Sequence, residues 1–81
     1  MKKNPLEEIS NLLEELATQQ CNRLRKLAQN YVPNITDEDL LQPNDYPQLE
    51  NHPLFRYEEG FLHGIQSVHS ALNALLNEKK D

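Results

Sequence analysis

The segment from Gly60 to Leu76 carries two parallel seams at helical spacing, one large and one small. Phe61, Ile65, Val68, Leu72 and Leu75 form the large seam; Gly60, Gly64, Ser67, Ala71 and Ala74 form the small one. Both advance in alternating long and short steps, the repeat of helices that pack along their whole length. With Leu62, His69 and Leu76, the large seam spans roughly 140° of a helical wheel, and the small seam adds about 80°. Burial against one neighbour takes little more than about 100°. A helix with this pattern is built to be covered from two sides.

The chain is 81 residues long, which allows one domain. A single core of this size rarely supplies more than about 3–5 kcal/mol, so short chains lean on disulfides, metals or oligomerisation. Cys21 is the sole cysteine, which excludes an internal disulfide. It lies on the apolar side of its helix and reads as a small buried hydrophobe. A free thiol suits a reducing compartment, so a cytoplasmic location is expected. No apolar run approaches the roughly 20 residues of a membrane span, and Met1-Lys-Lys leads into an acidic helix rather than a signal segment. Self-association is the staple that remains.

Net charge is −5 and unevenly spread. Residues 32–59 hold Arg56 against seven acids, whereas residues 60–81 balance. Phosphate neutralisation supplies most nucleic-acid affinity, so an acidic chain with an acidic middle is a poor candidate for that partner. Arg23, Arg25 and Lys26 form the one internal basic cluster. Cations near a helix C-terminus complement its dipole, as Glu7 and Glu8 do at its start.

The sequence predicts a first helix over about residues 5–31, opened by Asn4 as N-cap, Pro5 at N1 and Glu7 as the third member of a capping box. Its apolar residues fall within about 140° of the wheel, with Leu12 an outlier. Pro33 disfavours helix at Val32 and closes it. Residues 32–52 form a proline-rich connector with a short helix over about 37–42, capped at Thr36 and closed by Pro43. Leu40, Leu41, Tyr46 and Leu49 are expected to fold onto the hairpin. A second long helix runs over about 54–78, and Asn77 with the charged tail from Glu78 to Asp81 is expected to fray.

Gly60 and Gly64 each cost a helix roughly 1 kcal/mol relative to alanine. Close approach of a partner helix explains two of them on one stripe, and Ser67, Ala71, Ala74 and Leu75 continue that interface. Glu59 and His63 share a helix face at a spacing open to two metal ligands, but they lie along the polar stripe of the helix and read as a solvated pair, so neither metal nor cofactor is assigned. Ser67 and Ser70 flank His69, yet such near neighbours point to different faces and form no relay. Tyr46, Phe55, Arg56 and Tyr57 cluster where the connector meets the last helix and form a candidate partner surface.

The expected fold is therefore all-α: an antiparallel hairpin of two long helices, with a short helical turn in the connector, dimerising into a four-helix bundle. The large seam is expected to face the first helix and the small seam a second protomer. The expected function is non-catalytic: a small cytoplasmic regulator, adaptor or chaperone-like subunit acting through protein–protein interaction, with a second copy and another protein as partners. A nucleic-acid-linked regulator using Arg23, Arg25 and Lys26 is the alternative. A metal-dependent bundle enzyme using Glu59 and His63 is the third reading.

Overall fold

A computed structural model describes residues 4–78. Two long helices, α1 (Pro5–Gln29) and α4 (Pro53–Glu78), pack as an antiparallel hairpin. Between them lie α2 (Asp37–Leu40), a 3-10 turn (Pro43–Asp45) and α3 (Pro47–Glu50). No strand occurs among the described residues. The molecule measures 48 × 21 × 19 Å, so it is a rod about one helix pair thick.

The helix starts follow from local chemistry. Asn4 caps α1 by accepting from the Leu6 N–H at 2.9 Å, with Pro5 behind it, although the reciprocal Glu7 bond of a capping box is not formed. The box forms at α2 instead: the Asp39 N–H donates to Thr36 Oγ1 at 3.2 Å, and the Thr36 N–H donates to Asp39 Oδ2 at 3.0 Å. Pro43, Pro47 and Pro53 each open a helical segment, where the missing N–H is no loss. Prolines that read as breakers of a loop are starters of short helices. Helix α3, absent from the expected architecture, arises this way.

Helix α1 ends at Gln29, before the expected limit near Tyr31. The N–H groups of Asn30 and Tyr31 turn back to Leu27 and Ala28, tightening the last turn so that Val32 and Ile35 fold under the hairpin. Helix α4 continues through Asn77 and Glu78, where fraying was expected. Met1 to Lys3 and the expected fraying of Lys79 to Asp81 lie outside the described residues.

The core sits at the connector end. Leu24 and Ala28 of α1, Phe55 and Leu62 of α4, and Ile35, Leu40 and Leu49 of the connector form one buried cluster. Leu49 and Phe55 are fully enclosed. The connector is thus a lid of short helices that supplies part of the core. Tyr46 is half-buried against it, but Leu41, expected to tuck in, is 82% exposed. Leu41 follows the buried Leu40 at the end of α2, and adjacent helical positions cannot share one face.

Arginines tie the lid down. Arg25 pairs with Asp37 at 2.6 Å, linking α1 to α2. Arg56 donates to Glu59 at 2.8 Å, to the Glu50 carbonyl at 2.8 Å and to Asn44 Oδ1 at 2.8 Å, linking α4 to both short segments of the connector.

Candidate association surface

The face of α4 that meets α1 carries Phe55, Leu62, Ile65, His69, Leu72 and Leu76, and α1 answers with Leu6, Ser10, Leu13, Ala17, Gln20 and Leu24. Two polar contacts set the register of this pair. Ser10 Oγ donates to Asn73 Oδ1 at 2.8 Å and lies 3.2 Å from His69 Nε2. A hydroxyl has one proton; with that proton on Asn73, the His69 nitrogen is the donor in the second contact. The serine is therefore oriented away from nucleophilic activation. Nearer the lid, the buried Gln20 amide donates to the Glu58 carbonyl at 3.0 Å and to the Glu58 carboxylate.

This arrangement corrects the expected facing of the large seam. Ile65 and Leu72 do turn towards α1, but Phe61 and Val68 remain 51% and 56% exposed, and Leu75 is also open. The cause lies upstream of the seam. Phe55 is locked in the lid core, and residues at seven-residue intervals nearly share a helix face. Leu62, His69 and Leu76 therefore inherit its direction, and the rest of the seam rotates outwards.

Rotation leaves a second stripe on α4 without a neighbour: Tyr57, Phe61, Gly64, Val68, Ala71 and Leu75, all exposed. Helix α1 has a matching open stripe in Ile9, Leu12 and Leu16. Leu16 and Phe61 line one groove with Arg23 and Tyr57, so the two stripes lie on the same side of the hairpin. Leu12, the outlier on the α1 wheel, belongs to this second face. A further sequence signal points there: residues 60–77 contain no Asp, Glu, Lys or Arg, in a chain that is 26% charged. Within that uncharged run only Leu62 is buried.

Gly60, Gly64, Ser67, Ala71 and Ala74 are all exposed in the protomer. Nothing lies within 4 Å of where a Cβ would stand at either glycine, so neither is needed for the contact with α1. Among the aromatic candidates, Phe55 is enclosed in the core and Tyr46 is half-buried, while Tyr57 faces solvent. Burial pushes the Tyr46 phenol above its ordinary value, with the Asp39 carboxylate adding to the shift. Arg56 is taken up by its three contacts within the chain.

The remaining constellations do not converge. Glu59 is engaged by Arg56, His63 is exposed, and no group of three or more metal-type side chains gathers among the described residues. Arg25 turns to Asp37, whose hydrogen bond and charge hold the guanidinium proton more tightly. Arg23 borders the groove beside Tyr57, and the basic cluster is thereby split. No described helix is long and apolar enough to cross a membrane. Comparison with protein-family models, with curated proteins and with solved structures finds no match for this chain.

Proposed function

We propose that this protein acts by association: a small non-catalytic, cytoplasmic helical subunit of regulatory, adaptor or chaperone-like type, dimerising into a four-helix bundle. The observation that carries this reading is the open face formed by Ile9, Leu12 and Leu16 with Phe61, Val68 and Leu75. Large apolar side chains scattered singly over a surface need no explanation; aligned on two adjacent helices, they do. Seven buried apolar residues, gathered at the lid end, leave the far half of the hairpin as a bare helix pair. A second hairpin laid on the open face supplies what is missing there. In this bundle the lid, with its acidic rim, stays available to another protein.

Sedimentation equilibrium over a dilution series tests the proposal. The expected species has twice the 9.4 kDa protomer mass, and Val68→Glu shifts it to the protomer while far-ultraviolet dichroism stays helical. A wild-type chain that sediments as a protomer at every concentration overturns the reading.

A further inference from the structure

Resting on that reading, we infer that the second copy docks about a two-fold axis perpendicular to the helices, level with Glu14 and Gln66, so that α4 lies antiparallel on α4 of the partner and α1 on α1. The hydrogen bonds joining Ser10 to Asn73 and Gln20 to Glu58 place the middle of the α1 stripe level with the middle of the α4 stripe. The α4 stripe is evenly spaced about Gln66, and on α1 the pair Leu12 and Leu16 is centred on Glu14, with Ile9 outside that pair and opposite Gln19 of the other copy. On α4 the spacing about Gln66 sets Phe61 against Ala71 of the other copy, Val68 against Gly64, and Tyr57 against Leu75. Large therefore meets small in the central layers, which lets facing side chains interdigitate. On α1 the spacing about Glu14 sets Leu12 against Leu16. The α4 stripe and the Leu12–Leu16 pair of α1 therefore share one level, as an isologous interface requires.

The size of the face fits. The stripe from Tyr57 to Leu75, about 27 Å long on a hairpin 21 Å wide, spans on the order of 600 Å², the lower end of what each partner of a stable interface buries. Charge decides between the two ways of stacking hairpins. Laying α1 on α4 of the partner would set Glu8, Glu15 and Arg23, beside the α1 stripe, along a helix with no charge from residue 60 to residue 77. With α1 on α1, Glu8 comes within about one turn of the other copy's Arg23, and the uncharged helix meets only itself.

The test uses the full chain with Cys21→Ser to remove the native thiol. Mixing the Gly64→Cys and Val68→Cys proteins under mild oxidation is expected to give a disulfide-linked pair, with neither variant linking to itself. In parallel, Ala71→Phe is expected to weaken dimerisation about 30-fold or more, the scale of a central interface residue, and adding Phe61→Ala to restore it. Both variants should remain helical, because Ala71 and Phe61 are exposed in the protomer. Linking of Gly64→Cys to Leu16→Cys, or failure of the second substitution to restore association, overturns the register while leaving dimerisation intact. A monomer at all concentrations overturns both readings.

Discussion

Phe55 has no exposed surface, and its rotation on the first turns of α4 decides where the rest of that helix points. Truncating it opens a void between Leu24, Leu49 and Leu62. Phe55→Ala is expected to lower unfolding free energy by about 3–5 kcal/mol in a denaturant titration, which is most of what a domain this size holds. Ser10 has a smaller and different role. It is one of two polar residues, with Gln20, on the α1 face that meets α4, and its hydroxyl serves Asn73 and His69 together. Ser10→Ala is expected to cost about 1 kcal/mol in the same titration, because two half-buried polar groups lose a partner.

At the scale of elements, the long helices were legible because their periodicity persists for seven turns and their caps have a plain chemistry. Asn4-Pro5 marks a start, and Pro33 marks a stop. The lid was only half legible. Thr36 to Leu40 carries a capping signature, but Pro47-Gln-Leu-Glu50 is too short for any period, and its burial depends on α4 being present beneath it. The facing of α4 was misread for a related reason. A wheel drawn from Gly60 onward leaves out Phe55, the residue that fixes the rotation through a contact made with the lid.

The α2 cap has a testable pH dependence. The Thr36 backbone N–H holds the Asp39 carboxyl below its ordinary value of 3.8. A depressed carboxylate contributes stability that is present above the unfolded value and lost as the pH falls through the folded one. Helix α2 should therefore loosen below about pH 3.8, seen as loss of dispersion in the Thr36 and Asp39 amide resonances. Asp39→Asn should remove that step, and an unchanged acid profile in the variant would assign it to other groups.

At the scale of the whole molecule, the hairpin has two unequal halves. One is closed by its own lid. The other is a bare helix pair. Along one side of the hairpin two apolar stripes run from Tyr57 and Phe61 beside the lid to Leu75 and Ile9 at the far end, with α4 uncharged over eighteen consecutive positions from residue 60 to residue 77. The existence of a surplus face could be read from Gly60 to Leu76 alone; which residues compose it could not. Surplus is a matter of angular width, whereas composition depends on a rotation set by tertiary contact. The candidate surface accordingly moves from Phe55 and Arg56, held within the chain, to Leu12, Phe61, Val68 and Leu75. Its coverage can be observed residue by residue with a soluble paramagnetic probe that broadens solvent-facing methyl resonances. At concentrations where a second copy is bound, the methyls of Leu12 and Val68 should be protected to the level of buried Leu62, while those of Leu41 are bleached. Bleaching of Val68 as deep as that of Leu41, at every concentration, would mean that no second hairpin covers this face.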